Sequence, residues 1–365
     1  VSGQGLDEQF MQRALDLAEH GACTTRPNPR VGCLIVDPQQ QIIGEGWHQR
    51  AGGPHAEVIA LRAAGERARG ATAYVTLEPC AHFGRTPPCA DALIAAGVAG
   101  VVIASGDPFA QVAGRGIERL RAAGITVRSA VLEAQARALN AGFFSRIERG
   151  RPWVRVKLAC SLDGRSALAD GRSQWITGAQ ARLDGHQWRA RACAVLSGIG
   201  TLLADDPQLT SRPEPHCEQA AQLRLIVDST LRTPPAARIF ESPGVVILAH
   251  AGASEMVSKW PAQARLLSMS GANAQVDLAA LLAWLATEQQ INEVHVEAGA
   301  RLAGALLDAG LVDELLIYQA PVVLGAAAMP MLSCIEPASL GQAVRLRLID
   351  AQQLGTDLRI RLLRS

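Results

Sequence analysis

The chain has 365 residues, 48% of them apolar, and sets 35 basic against 34 acidic side chains for a net charge of +1. That length and apolar content supply two hydrophobic cores rather than one, and so small a net charge excludes a bulk field that would draw a nucleic-acid backbone. Eight cysteines (Cys23, Cys33, Cys80, Cys89, Cys160, Cys193, Cys217 and Cys334) are dispersed as reduced thiols rather than packed into a disulfide scaffold; with no apolar run of membrane-spanning length and an acidic, interrupted N-terminus unlike a signal peptide, a cytoplasmic protein without a membrane partner is expected.

In chain order, Phe10, Leu15, Leu17 and Ala18 give Asp7 to His20 a helical period that Gly21 ends. Residues 31–37 and 41–48 are short apolar runs on either side of Pro38 and read as a hairpin. Helical spacing over 55–68, a strand over 72–80, a helix from Pro87 to Gly97 and a strand over 98–105 follow. After a helical stretch from Leu132 to Ser145, the charged, glycine-containing segment 146–152 marks a boundary. Strands are then expected over 153–161, 191–200, 223–229, 245–250, 291–299, 314–321 and 358–363. Helices over 179–191, 278–287 and 301–309 lie among them, and 211–222 reads as a polar surface loop. Two layered α/β domains are the expectation.

The chemistry of the first half is concentrated in His55-Ala56-Glu57 and in the segment from Pro79 and Cys80 to Cys89. One imidazole and two thiolates make a three-ligand set that leaves the fourth tetrahedral position of zinc to water. Glu57, two residues past the histidine, is placed to move protons without binding metal, the logic of zinc deaminases. Eight residues separate Cys80 from Cys89 where two are common. His82, between them, is a rival ligand or substrate contact, whereas Cys23 and Cys33 read as packing residues. Asn28, between Pro27 and Pro29, sits in a rigid turn suited to an amide that reads a ring edge.

The second half lacks the G-x-G-x-x-G dinucleotide fingerprint. It offers instead three strand ends with small or polar residues, at 197–207, 228–235 and 296–307, where ligands of open α/β sheets gather. Gly299, opening a helix, would let backbone N–H groups approach a phosphate. Lys157 lies inside an apolar strand and must either face a substrate or reach the sheet edge.

The segments TTRPNPRVGCLIVD, GEGWHQRAGGPHAE, TLEPCAHFGRTPPC and DPFAQVAGRG resemble the deaminase half of the bifunctional riboflavin-biosynthesis enzymes, and KLACSLDGR, SQWIT, TLLADDPQLTSR, VDS and EAGARLAGALL resemble the reductase half. The likeness spans nearly the whole chain. It implies a cytidine-deaminase-like three-layer domain at 1–147 and a dihydrofolate-reductase-like α/β domain at 148–365, with one Zn2+ per chain, NADPH as reductant, and a homodimer. The implied reactions are deamination of a diaminohydroxyphosphoribosylaminopyrimidine, then reduction of the ribosyl chain of 5-amino-6-(5-phosphoribosylamino)uracil to ribityl. By the same likeness His55, Cys80 and Cys89 hold the metal and Glu57 is catalytic. Asn28 and His48 contact the first substrate; Ser173, Arg189, Leu209, Arg212 and Glu297 contact the second, with Lys157 as a further candidate. Ala159, Trp175, Thr201, Asp205, Ser229 and the turn Gly299, Ala300, Arg301, Leu302, Ala303, Gly304 would contact NADPH. Two arginine forks suit a ribose phosphate, and Trp175 offers a flat face to a cofactor ring or to a core. Ala110 departs from the proline usual there. A tRNA or nucleoside deaminase with an accessory domain, and a non-catalytic pyrimidine or NADPH sensor, are the rival readings.

Overall fold

The computed structural model describes residues 3–81, 88–109, 113–215, 218–252 and 259–364. They divide between two compact units, Val1–Arg149 and Gly150–Ser365. Among them no helix is long and apolar enough to cross a membrane, and no disulfide joins the cysteines.

The first unit runs α1 (Gly3–Glu19), β1 (Gly32–Val36), β2 (Ile42–Trp47), α2 (Ala56–Ala64), β3 (Thr72–Leu77), α3 (Cys89–Ala96), β4 (Gly100–Ser105), α4 (Arg115–Ala122), β5 (Thr126–Arg128), α5 (Glu133–Leu139) and α6 (Ala141–Arg149). Its sheet has the order β2-β1-β3-β4-β5, antiparallel across the expected hairpin and at β1–β3, parallel from β3 to β5. Side chains alternate across the sheet. Cys33 and Ile35 pack with Ala56, Ala60, Leu93 and Leu120 of α2, α3 and α4; Leu34 and Val36 pack with Met11, Ala14 and Leu15 of α1 and Ala136 of α5. Helix α2 lies directly on β2, because a Cβ at Gly44 would stand 2.2 Å from the Ala60 carbonyl oxygen and one at Gly46 2.5 Å from that of Ala56.

The helix expected over Leu132 to Ser145 is two helices broken at Asn140. The buried Asn140 amide accepts from Arg30 N–H and donates to Arg30 C=O, both at 2.8 Å, so it pairs with that backbone as a strand would. The segment expected to mark the boundary, 146–152, opens with the last turn of α6, which ends at Arg149 where the first unit ends; Phe143 and Phe144 of that helix pack with Leu77. Helix α4 and strand β5 were not read from the sequence.

The second unit runs β6 (Trp153–Cys160), β7 (Arg165–Ala167), α7 (Ala179–Arg191), β8 (Ala194–Gly198), α8 (Ile199–Asp205), β9 (Leu223–Val227), β10 (Val246–His250), β11 (Ala264–Ser268), α9 (Leu278–Thr287), β12 (Glu293–Val296), α10 (Ala300–Asp308), β13 (Glu314–Gln319), β14 (Met329–Pro330), β15 (Leu346–Leu354) and β16 (Asp357–Arg364). Nine strands form one sheet in the order β11-β10-β9-β8-β12-β6-β13-β16-β15, and β14 pairs with β7. All neighbours are parallel from β11 to β13; β16 and β15 add an antiparallel edge. The apolar run expected as a strand over 191–200 is strand only to Gly198 and turns into α8, an ambiguity inherent in short apolar runs.

One face of this sheet is apolar throughout, with Val154, Val156 and Leu158 of β6 against Leu281, Leu285, Ala303 and Leu306 of α9 and α10. The opposite face is divided. Ile226 and Leu248 form one apolar cluster and Leu316 and Tyr318 another. Between them β6 presents Arg155 and Lys157, β12 presents Glu293 and His295, and Glu297 follows directly after β12. The central strands thus carry a polar strip.

Candidate active sites

In the first unit three ligand atoms converge from separate elements. His55 precedes α2, Cys80 follows β3, and Cys89 opens α3. His55 Nδ1 lies 3.1 Å from Cys89 Sγ and 3.8 Å from Cys80 Sγ, and all three ligand atoms fall within 4.8 Å of one another. Zinc bond lengths place tetrahedral N and S ligand atoms roughly 3.5–3.8 Å apart; the set matches the ion in donor type, and a shift of a few tenths of an ångström at Cys89 brings its spacing into that range. The electrostatics agree. The thiol and backbone N–H of Cys89 donate to Cys80, and with the nearby imidazole they hold the Cys80 thiol down at about 4. Cys89 is pushed up in turn, since two thiols this close ionise together only around a cation.

Glu57 sits in the first turn of α2, buried and beside both His55 and Cys89; burial is the main cause that raises its carboxyl above the ordinary range. A buried carboxyl beside the candidate ligands is placed to exchange protons with a reacting group there.

Asn28 and His48 meet at the same place. His48 Nδ1–H donates to the Pro54 carbonyl oxygen at 3.1 Å, which leaves Nε2 to accept from the Asn28 amide N–H at 3.1 Å. That bond uses the Asn28 amide nitrogen and leaves its oxygen as an acceptor. The His48 ring stands edge-on to His55 with centroids 5.6 Å apart, and burial lowers its pKa, so it stays neutral. His82 and Ala110 lie outside the described residues.

Sequence reasoning passed over Glu78, which precedes this site by one proline. Its buried carboxylate accepts from the N–H groups of Asp107, Gly114, Gly116 and Ile117 at 3.0–3.4 Å. A Cβ at Gly116 would stand 2.0 Å from the Pro79 carbonyl oxygen. The start of α4 is therefore clamped to the turn that carries Cys80.

In the second unit, the candidates lie at the carboxyl ends of adjacent parallel strands: Ser229 after β9, Thr201 after β8, Gly299 after β12 and Ala159 near the end of β6. This is where open α/β sheets bind ligands. Thr201 Oγ1 accepts from Gly299 N–H at 3.1 Å, joining the starts of α8 and α10. Ala300, Arg301 and Leu302 retain exposure, whereas Ala303 is fully buried and a Cβ at Gly304 would meet the Ser333 carbonyl oxygen at 2.1 Å, so the last two residues of that turn face the core. Ser229 Oγ accepts from Val276 N–H at 3.2 Å. Trp175 is 70% exposed under the Arg182 guanidinium, not a core residue. Ser173 is half-buried nearby, and Gln174 bonds to Asp205, which is exposed at the end of α8.

The polar strip holds the rest. Arg189 of α7 grips Glu297 with both arms, Nε–Oε1 at 2.6 Å and Nη2–Oε2 at 2.7 Å, and donates from Nη1 to the Thr210 carbonyl oxygen at 2.6 Å. Its fork is thus committed to Glu297. Burial would raise Glu297, but Arg189, His295 and Lys157 together hold it well below the carboxylate range. Lys157 has no sheet edge to reach, since β6 is flanked by β12 and β13; its ammonium lies 5.9 Å from the Tyr318 ring centre, and burial lowers its pKa against the opposing pull of Glu297. Leu209 packs in the core with a left-handed φ of 55°. Arg212 is exposed.

Comparison with known proteins places both halves. The family model for the cytidine and deoxycytidylate deaminase zinc-binding region matches residues 4–105, and that for the RibD C-terminal domain matches 152–360. Riboflavin biosynthesis protein RibD of Escherichia coli K12 is 49% identical over 361 residues, covering 96% of this chain and 97% of that protein. The structure of Acinetobacter baumannii RibD superposes with a TM-score of 0.91 at 44% identity over 99% of both chains. That of the Thermotoga maritima diaminohydroxyphosphoribosylaminopyrimidine deaminase/5-amino-6-(5-phosphoribosylamino)uracil reductase gives 0.88 at 33% identity, again over 99% of both. A deaminase zinc-binding region and a RibD reductase domain on one polypeptide, matched end to end by such relatives, make this chain a member of the RibD family, the bifunctional deaminase/reductases of riboflavin biosynthesis.

Proposed function

We propose that each chain holds one Zn2+ on His55, Cys80 and Cys89 and uses it to deaminate a diaminohydroxyphosphoribosylaminopyrimidine, and that its second unit reduces 5-amino-6-(5-phosphoribosylamino)uracil with NADPH. The observation that carries the first assignment is the convergence of one nitrogen and two sulfur ligand atoms beside a buried carboxyl. A bound zinc supplies a Lewis acid that brings the pKa of a water toward neutrality. Glu57 takes up a proton from the attacking water and returns it to the departing amine. The Asn28 oxygen accepts from a ring N–H, and neutral His48 keeps that amide oriented.

In the second unit NADPH supplies the hydride. The strand-end groups Ala159, Thr201, Ser229 and Gly299 to Leu302 would seat the cofactor, with Trp175 and Asp205 at its margin. Lys157 and Glu297 face the reacting part of the substrate, and Ser173, Leu209 and Arg212 bind its remainder. Arg189 holds Glu297 as an anion. A homodimer through this unit is supported by the exposed Leu348 and Ile349 on the edge strand β15.

The test is stoichiometric. The purified chain should release one ammonia and oxidise one NADPH per phosphorylated pyrimidine consumed. Elemental analysis should find about one zinc per chain in the wild type, and a large loss in Cys80→Ser or Cys89→Ser, where a thiolate ligand becomes a hydroxyl. Full zinc retention in both variants overturns the ligand set.

A further inference from the structure

We propose that His186 is a positioning residue of the reductase site, its Nδ1 holding the backbone N–H of Arg212 so that this arginine stands ready for the substrate's phosphate. The inference rests on reading the second unit's substrate as a phosphorylated pyrimidine, and it adds a residue to which that reading gives no part. His186 and Arg189 lie one turn apart on α7 and so share a face. From that helix Arg189 reaches the Thr210 carbonyl oxygen at 2.6 Å, His186 Nδ1 accepts from Arg212 N–H at 3.3 Å, and Gln187 donates to the Glu214 carbonyl oxygen at 2.9 Å. The helix thereby stitches down a segment that has no secondary structure of its own.

Charge says what the segment is for. Lys157, Arg189 and Arg212 act on His186 together with one carboxylate, Glu297. Three cations against one anion leave an excess that a phosphate monoester dianion would balance. Glu297 already occupies the Arg189 fork. The Arg212 guanidinium has no ion pair among the described residues, and unlike the half-buried Lys157 it is exposed, so it is the accessible cation for the ligand's phosphate. Burial and the Arg189 and Arg212 charges hold His186 down at about 4. Its Nδ1 therefore keeps a lone pair at neutral pH and serves as an acceptor, with the ring proton on Nε2.

The two ring nitrogens can be separated by substitution, because the Asn side-chain oxygen superposes on Nδ1 and the Gln amide reaches the Nε2 position. In steady-state reductase assays on the full chain, His186→Ala should raise KM for the phosphorylated substrate roughly tenfold, the scale of one hydrogen bond, with kcat and the KM for NADPH little changed. His186→Asn should restore KM, and His186→Gln should not. An unchanged KM in His186→Ala overturns the proposal. Restoration by Gln and not by Asn overturns it too, because His186 would then touch the ligand through Nε2. Arg212→Ala distinguishes failure of the underlying reading: if its KM for the phosphorylated substrate stays at the wild-type value, the phosphate does not bind here and the proposal falls with that reading.

Discussion

Glu57→Gln should deaminate at least about a hundredfold more slowly than the wild type, since a positioned acid–base group contributes roughly 10²–10⁴ in rate. The glutamine keeps the size and polarity of the side chain and removes only the exchangeable proton site. Glu57 lies outside the three converging ligand atoms, so zinc content should hold at the wild-type value. Reduction of the deaminated pyrimidine should also persist, because the strand-end residues proposed for it belong to the other unit. Near wild-type deamination with zinc retained would end the proton-transfer assignment. Loss of zinc would show that the variant had disturbed the ligands and would move the test to Glu57→Asp.

Arg155→Ala should destabilise the second unit by about 3–5 kcal/mol, the scale observed when one partner of a buried ion pair is removed. Arg155 is 6% exposed and donates to Glu314 at 2.9 Å and to Glu293 at 3.3 Å, with its guanidinium 4.5 Å from the Trp188 ring centre. Truncation leaves Glu293 without that partner and Glu314 with Arg361 and Trp153 only. Urea unfolding followed by tryptophan fluorescence reports mainly on this unit, which carries Trp153, Trp175, Trp188, Trp260 and Trp284 of the six tryptophans. A shift below about 1 kcal/mol would mean that the strip is solvated or self-compensating. The pH dependence carries a definite sign. Burial raises Glu314, but Arg155 and Arg361 outweigh it and hold the folded-state pKa below the unfolded one. The contribution is therefore in place above the unfolded carboxylate pKa and is lost as pH falls through the depressed folded value. In Arg155→Ala that acid loss should begin at a higher pH.

The convergence of His55, Cys80 and Cys89 was legible because these candidate ligands are chemically rare and sit in short local motifs: a histidine two before a glutamate, and cysteines at a strand end and a helix start. The restart of the sheet at Trp153 was equally plain from alternation. What escaped reading depends on contacts between residues distant in sequence. Asn140 breaks a helix because it pairs with Arg30, 110 positions away, and no local propensity carries that. Strand β15 shows no apolar alternation because most of its residues are exposed. Helix α4 is short and strongly charged, with few large apolar residues to mark it in the sequence, yet its first turn is fixed by Glu78 from another element. The Glu-Val-His-Val-Glu alternation over 293–297 did carry a signal, a polar face on a buried strand, which the apolar residues between the charges concealed. For Arg189 the residue type pointed to a phosphate, whereas the bidentate pair with Glu297 is a contact that no local pattern carries.

On the proposed ligand set, the clamp at Glu78 ties metal binding to the folding equilibrium of the first unit. Cys80 is placed by a turn held by the N–H group of Asp107 after β4 and by those of Gly114, Gly116 and Ile117 around the start of α4, so the ligand set is assembled only when those distant parts of the chain are folded together. An ion that binds the assembled set and not the open chain stabilises the folded form by mass action, about 2.7 kcal/mol when free metal is a hundredfold above its dissociation constant. Metal supply and chelation then act on the lifetime of the unit as well as on its chemistry. A lesion in α4, far from any ligand in sequence, would present as a zinc-responsive defect.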